Sequence, residues 1–304
     1  MTAFGRVMTC FALGVLIQGG IYLYLDKIHF APTTDFEVTG LAEAATDDRF
    51  PQVTDATAYY SHDREYMAAV RSDSVKIYQA NEPTPTVIDL KGRSVSFFEW
   101  MPDRALSVMG LYGGDEDRVF MARLDPADVK HEVDTELEDL PGGSRITDAV
   151  YSTATNVVYM KVRVDENAYR IYRTDANYDT RRVYMQASNI GRIAVFYDED
   201  VFFYDNVRTG DVYMFNGTEG GWRVINPSGR YRLIGIDGDK NIFIAHVNAD
   251  NEALAVLRGR LGVGFTEEYK YDRPTTLSPI TVTEAARLIA EGNKPSDDKE
   301  KTKR

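Results

Sequence analysis

Cysteine is almost absent from this sequence: Cys10 is the only one in 304 residues. A single thiol excludes a framework of internal disulfides, a zinc site built on cysteines and an iron–sulfur cluster. Basic residues are also in deficit, with 35 Lys and Arg against 47 Asp and Glu, which gives a net charge of −12. Because the phosphate backbone of a nucleic acid repels such a chain, we expect no nucleic acid partner.

Long apolar runs are missing except near the N-terminus, where residues 7–25, from Val7 to Leu25, carry no charge. At a helical rise of 1.5 Å per residue this stretch spans about 28 Å, close to the thickness of the hydrocarbon core of a bilayer. The sequence therefore predicts a transmembrane signal anchor in contact with the lipid bilayer. Arg6 precedes it, so the positive-inside rule places the N-terminus in the cytoplasm and the rest outside the cell membrane. A cleaved signal peptide is the alternative.

The chain divides by composition into segments on either side of a long body. We expect a cytoplasmic stub, an anchor, a polar stalk, a repeat domain, a region with one short helix and a disordered tail. The corresponding residues are 1–6, 7–25, 26–52, 53–272, 273–292 and 293–304.

The body consists of five segments that share one layout of three strands joined by polar turns and a looser fourth strand. The second strands are predicted to begin at Glu65, Ala105, Val157, Val201 and Ile242, with spacings of 40, 52, 44 and 41 residues. Each begins where a polar cluster runs directly into apolar residues, as is typical of hairpins. Short antiparallel strands that repeat at this period predict an all-β fold, a five-bladed β-propeller of four-stranded blades. A β-sandwich is the alternative.

Two dipeptides, Pro102-Asp103 and Asp237-Gly238, stand in the turns that lead into second strands. In this respect residues 53–272 resemble the membrane-anchored TolB-like and WD-repeat-like propellers of bacterial envelopes, in which a Pro-Asp-Gly-like turn has this place. No Gly-His or Trp-Asp pair marks the repeats, which disfavours the eukaryotic WD-repeat subtype. The resemblance implies the fold and leaves the activity open.

After the repeats, Thr281 and Glu284 have the spacing of a capping box, and Gly292 can end a helix. The sequence predicts one short helix between them with an apolar face of four residues. We expect this face to pack on the propeller, and the alternative is a helix that docks a partner. The four residues are Val282, Ala285, Ala286 and Ile289.

Catalytic and metal-binding patterns are weak. Some five-bladed propellers are glycosidases that use carboxylates in their central channel, and the inner strands here offer Asp55, Glu99 and Asp148. The motifs that accompany such carboxylates do not follow Trp100, so we interpret all three as ordinary channel or rim residues. Asp237, Asp239 and Asn241 match only the start of a calcium loop and are interpreted as a turn. We therefore predict no catalytic residue, no metal site and no cofactor.

The longest repeat spacing coincides with an acidic insertion around residues 132–144. Insertions on one face of a propeller often carry binding, and this one would suit a basic partner surface or a weakly held cation; a solvated loop is the alternative. The candidate binding residues are Glu132, Asp134, Glu136, Glu138 and Asp139.

Together these features predict a membrane-anchored, extracytoplasmic protein-binding scaffold or accessory subunit of a bacterial envelope assembly. Its partners would be other envelope or membrane proteins. The alternative is a glycan-binding or glycoside-hydrolysing propeller that uses the channel carboxylates. An extracytoplasmic sensor is a third possibility, which a cytoplasmic stub of six residues disfavours because it cannot hold an output domain.

Overall fold

The computed structural model describes residue 18 and residues 47–114, 117–129 and 133–292. Residues 57–275 form five antiparallel sheets, each of four strands in chain order. Sheets 1 and 2 contain β1 (Thr57–Tyr60), β2 (Tyr66–Arg71), β3 (Ser74–Gln79), β4 (Thr86–Val87), β5 (Arg93–Trp100), β6 (Ser107–Gly113), β7 (Arg118–Leu124) and β8 (Val133–Glu136). Sheet 3 contains β9 (Arg145–Ser152), β10 (Val157–Asp165), β11 (Ala168–Thr174) and β12 (Thr180–Val183).

The last two sheets follow the same plan and are succeeded by one helix, α1. Sheet 4 contains β13 (Ile190–Val195), β14 (Val201–Asn206), β15 (Val212–Asn216) and β16 (Trp222–Val224). Sheet 5 contains β17 (Tyr231–Ile236), β18 (Ile242–Val247), β19 (Ala253–Arg260) and β20 (Gly264–Thr275), and α1 is Val282–Gly292. The predicted all-β architecture of five four-stranded repeats is confirmed.

The first strands of successive sheets lie next to one another, as expected of the inner strands of a propeller. Contacts join β1 to β5, β5 to β9, β9 to β13 and β13 to β17. The second strands are buried on both faces: in β14 the side chains of Phe202 and Phe203 are both fully buried although they point in opposite directions. A blade packed between two neighbours requires this double burial, since each sheet covers the faces of the next.

Separate apolar cores fill the junctions between sheets. Val108 and Met121 of sheet 2 pack with Val158 and Met160 of sheet 3. The core between sheets 3 and 4 is aromatic, with the rings of Tyr159 and Phe202 stacked at a centroid distance of 4.4 Å. Aromatic and β-branched residues suit such pleated, closely packed surfaces, which explains the abundance of Tyr and Phe in the sequence.

Helix α1 covers the face of sheet 5 that points away from sheet 4. Ala285 and Ile289 pack on Phe243 and Val256, while the Thr281 hydroxyl caps the helix by accepting the N–H of Glu284 at 3.2 Å. The predicted cap and the predicted packing face are therefore confirmed for Val282, Ala285 and Ile289. Ala286 is exposed, because a position one residue after Ala285 lies about 100° further around the helix.

The turns between first and second strands occur where the repeats predicted them. Asp103, Asn156, Asp200 and Asp239 all lie in these turns, in sheets 2 to 5. The second strands begin at Val157, Val201 and Ile242 as predicted, whereas β2 begins at Tyr66 and β6 at Ser107, one and two residues later than expected.

The acidic insertion is partly a strand. Its residues 133–136 form β8, the fourth strand of sheet 2, which pairs with β7 in the register Phe120 opposite Glu136. The repeat layout in the sequence predicts the fourth strand of this repeat at residues 129–135, which is wrong by about four residues at its start. Residues 133–136 form the strand because they are the ones that pair with β7. The additional residues of the insertion, 137–144, follow the strand.

The anchor at residues 7–25 lies outside the described residues, as do most of the stalk and the C-terminal tail from residue 293. Among the residues that the structure describes, no helix is long and apolar enough to cross a membrane.

Candidate functional site

A groove with a volume of about 450 Å³ lies between the start of β7 and the chain that follows β8. We call it the acidic groove, because four carboxylates line it and Arg118 is the only basic residue among its described lining residues. The lining carboxylates are Asp117, Glu136, Glu138 and Asp139. Three of the five predicted binding residues thus share one surface feature, with exposed side chains.

The backbone of the acidic groove is fixed by the neighbouring sheet. The Tyr172 hydroxyl of β11 donates to the carbonyl oxygen of Glu138 at 2.6 Å, and the Arg170 guanidinium donates to the carbonyl oxygen of Asp139. Leu137 is buried, and its N–H donates to the Val119 carbonyl oxygen at 2.8 Å. These contacts hold the backbone while leaving the carboxylates of residues 138 and 139 facing water, so the groove is an ordered surface and not a loose loop.

The opposite wall of the groove is held by Asp117. Its carboxylate accepts the N–H of Gly143 at 2.6 Å and a guanidinium N–H of Arg145 at 3.3 Å. Arg118 forms an ion pair with Glu136 at 3.1 Å. Asp117 and Glu136 are therefore partly compensated, whereas Glu138 and Asp139 have no ion pair with any described residue and carry the free negative charge.

The remaining two predicted binding residues are less defined. Asp134 lies on β8, where its backbone is opposite Ala122, and Glu132 lies outside the described residues.

Two of the three channel carboxylates come together on neighbouring inner strands. Glu99 lies on β5 and Asp148 on β9, and the Tyr151 hydroxyl donates to Glu99 Oε2 at 3.3 Å. Burial raises the pKa of Glu99 to about 8, and the nearby negative charge of Asp148 adds to the shift. Glu99 is therefore predominantly protonated at neutral pH.

Asp55 does not join this pair. It is exposed and forms an ion pair with Arg71 at 3.0 Å on the surface of sheet 1. It lies two residues before β1 begins at Thr57, so it is outside the inner strand on which the sequence had placed it.

The turn at Asp237 has the geometry predicted for it. The Asp237 carboxylate accepts the backbone N–H groups of Asp239 at 3.0 Å and of Asn241 at 2.9 Å. This is the hydrogen bonding of an Asx-type turn.

Sequence analysis missed a second cleft, of about 500 Å³, at the junction of sheets 3 and 4. Arg173 of β11 lies in it and forms a buried ion pair with Asp200 at 2.7 Å, while the Tyr159 hydroxyl donates to the same carboxylate at 2.5 Å. Lys240 neutralises Asp198 at 2.9 Å on its rim. The only sequence signal was an Arg two residues before an Asp in consecutive repeats, at Arg123 and Arg173.

No known protein family matches the sequence, and no curated protein matches it. Solved structures do match in fold. A dihydro-heme d1 dehydrogenase, NirN, in complex with DHE superposes with a TM-score of 0.50 and 12% identity over 72% of this chain and 47% of that one. A luciferin-regenerating enzyme superposes at 0.44 with 12% identity over 72% of this chain and 77% of that one. A putative TolB from Agrobacterium tumefaciens superposes at 0.46 with 13% identity over 70% and 79%.

These similarities concern the fold alone, because identities of this size carry no information on ligands or chemistry. This chain spans about half the length of the dehydrogenase. The chain resembles β-propeller proteins, TolB-like ones among them, in its fold.

Proposed function

We propose that this protein is a protein-binding scaffold or accessory subunit in a bacterial envelope assembly, which residues 7–25 hold at the cell membrane with the propeller on the extracytoplasmic side. The charge-free stretch of residues 7–25 supports the membrane location. The ordered acidic groove supports the binding role and is the observation on which this proposal depends most.

The groove fits a partner with a basic surface. Glu138 and Asp139 present unpaired carboxylates on a backbone that Tyr172 and Arg170 hold in place. Because the backbone is already ordered, binding costs little conformational entropy in the groove itself. Lys or Arg side chains of a partner would complete ion pairs with the free carboxylates, and the net charge of −12 would steer such a partner towards the protein.

The partner is found by affinity capture of the detergent-solubilised protein followed by mass spectrometry, and the groove is then tested by mutation. A triple variant, Glu136→Ser, Glu138→Ser and Asp139→Ser, should slow association with the captured partner by about tenfold at low salt and flatten its salt dependence. Stability should change by less than about 0.5 kcal/mol for each exposed substitution.

A matched control variant carries the same change of charge at three exposed acidic residues away from the groove. Its substitutions are Glu166→Ser, Asp239→Ser and Asp250→Ser. Stopped-flow or surface-based kinetics at several salt concentrations compare the two variants. If both slow association equally, only net charge matters; if neither does, the partner binds elsewhere. Either outcome contradicts the groove as contact surface.

The second candidate function is glycan binding or hydrolysis, and one observation favours it: Glu99 and Asp148 lie together with a raised pKa for Glu99. A protonated acid beside a charged carboxylate is the arrangement that general acid catalysis of glycoside hydrolysis requires. Under this alternative, Glu99→Gln or Asp148→Asn would abolish glycan turnover and the groove variant would leave it unchanged.

A further inference from the structure

Arg123, at the end of β7 opposite to the acidic groove, is a buried cation without a counterion. Its side chain is 8% exposed, and neither Nε nor Nη2 has a hydrogen-bond partner among the described residues. Burial lowers the pKa of Arg123; the Tyr178 phenol, which also hydrogen-bonds to the guanidinium, and the Tyr151 phenol act against this shift, and the like charge of Arg104 adds to it. Buried guanidinium groups are ordinarily paired, because an unpaired one loses its hydration without compensation.

Sheet 3 has an arginine at the equivalent position, and there the arginine is paired with a carboxylate. Arg123 faces Val108 of β6, and Arg173 faces Tyr159 of β10, so both occupy one place in the third strand of their sheets. Arg173 is partly buried, and two of its nitrogens donate to the Asp200 carboxylate, at 3.0 and 2.7 Å. Asp200 belongs to the first turn of the following sheet.

The turn between β9 and β10 corresponds to the turn that contains Asp200, but it has no carboxylate at the equivalent position. Its last residue is Asn156, which stands immediately before Val157 as Asp200 stands before Val201. Asn156 is exposed, and its side-chain oxygen accepts a hydrogen bond from Arg104 at 3.3 Å and not from Arg123. The junction of sheets 2 and 3 therefore holds two arginines, Arg104 and Arg123, where the next junction holds an arginine and an aspartate.

We propose that Arg123 binds a carboxylate supplied from outside the chain, in the place that Asp200 takes beside Arg173. The free Nε and Nη2 donors lie on one edge of the guanidinium, which is the edge that a carboxylate accepts from bidentately. Arg104 adds positive charge at the entrance, although Asp103 pairs with it at 2.7 Å. The ligand is an Asp or Glu side chain of a partner protein or a free small carboxylate.

Tyr178 is the residue that covers the site. Its ring lies 5.1 Å from the Arg123 guanidinium carbon, and its side chain is 43% exposed. Tyr178 has a φ of 63°, at the tip of the loop between β11 and β12. Because Tyr178 is partly exposed and does not belong to the apolar cores of sheets 2 and 3, rotation of its side chain would uncover Arg123 without disturbing those cores.

The test follows the Arg Nε–Hε signals by NMR in the full-length chain in detergent, assigned by comparison with Arg123→Lys. Two probes are titrated at constant ionic strength against chloride: sodium acetate and the capped peptide Gly-Gly-Asp-Gly-Gly, with the Asn peptide as its control. We expect a saturable shift of the Arg123 signal with a carboxylate and none with chloride or the Asn peptide. The Arg173 signal should stay in place, since Asp200 already occupies it.

Three variants separate a binding site from a structural arginine. Because Arg123→Gln has no Arg123 signal to follow, its binding of the Asp peptide and that of the wild type are compared by isothermal titration calorimetry; the variant should bind at least about tenfold more weakly, since a charged bidentate contact is lost. Arg163→Gln, which removes one exposed positive charge from β10, should leave binding unchanged. Tyr178→Ala should tighten binding or speed association, because it removes the cover.

If acetate saturates the shift and the Asp peptide does not, the ligand of Arg123 is a free small carboxylate. If the Asp peptide binds more tightly than acetate, the ligand is an Asp or Glu side chain of a partner protein. The proposal is overturned if neither probe moves the Arg123 signal in the wild type and in Tyr178→Ala. It is also overturned if Arg163→Gln weakens binding as much as Arg123→Gln, because the effect would then be one of net charge.

Discussion

Glu99 is the residue whose environment makes the clearest prediction for the dependence of stability on pH. Burial and Asp148 raise its pKa from 4.5 to about 8 in the folded state, so between these values the folded protein keeps a proton that the unfolded chain has released. The free energy of unfolding should therefore fall as the pH rises from about 4.5 to 8. One pKa unit corresponds to about 1.4 kcal/mol, so the full shift corresponds to a loss on the order of 5 kcal/mol.

Glu99→Gln checks this expectation, because Gln resembles the protonated acid and does not titrate. Urea unfolding at pH 5 and pH 8 should show that the free energy of unfolding declines in the wild type and changes much less in the variant. The variant should therefore be more stable than the wild type at pH 8. Asp73→Asn, an exposed substitution on sheet 1, serves as the control. A decline of equal size in Glu99→Gln would show that other groups cause it.

At the scale of residues, the sequence singled out several of the side chains that the structure brings together. It identified Glu99 and Asp148 because strand order places inner strands side by side, and it identified the carboxylates of the groove from an unusually long repeat. It misplaced Asp55, since nothing in the pattern shows that β1 starts only at Thr57. The ion pair of Arg173 and Asp200 joins residues 27 apart through packing of two sheets, which no local pattern reveals.

Helix α1 illustrates how an element outside the repeats is fixed to them. Ile289 is 5% exposed and packs on the outer face of sheet 5. Arg192 of β13 holds the approach to the helix by donating to the carbonyl oxygens of Leu277 and Ser278 at 3.0 Å and of Ile280 at 2.6 Å. The helix is therefore part of the folded domain, and its buried face is not available to a partner.

Ile289→Ala should lower the free energy of unfolding by about 2 kcal/mol or more, because it leaves a cavity between α1 and sheet 5. Ala290→Ser, at the exposed neighbouring position, should change it by less than about 0.5 kcal/mol. Chemical denaturation measures both, and hydrogen exchange of residues 282–292 reports whether the helix opens first. Equal stabilities of the two variants would mean that the helix contributes nothing to the domain.

At the level of elements, the repeated strands and the N-terminal cap of α1 could be predicted from short stretches of sequence. Hairpin turns and alternating apolar residues are short-range signals, so strand order could be read directly. Strand ends were less accurate: β8 starts at Val133 because the register with β7 decides it, and Ala286 faces solvent because the helix turns by a fixed angle. Both depend on partners in space that the sequence does not identify.

The whole molecule combines a fold that repeats five times with features that break the repetition. The acidic groove lies at the start of β7 in sheet 2, at Arg118, and Arg123, which pairs with no carboxylate of the described residues, lies at the other end of the same strand. Oppositely charged features at the two ends of one strand can engage two different surfaces, basic at one end and acidic at the other.

The membrane anchor is the last prediction and concerns the whole molecule. If residues 7–25 form an uncleaved span, the mature protein begins before residue 7 and stays in the membrane fraction after a carbonate wash, because about 19 apolar residues are held by the hydrocarbon core. N-terminal sequencing and fractionation measure this. The control replaces Leu16 and Ile17 by Asp, which makes insertion unfavourable by several kcal/mol and should release the protein. A mature chain that starts after residue 25 would establish a cleaved signal peptide instead, and the acidic groove would then meet its partners as part of a released protein.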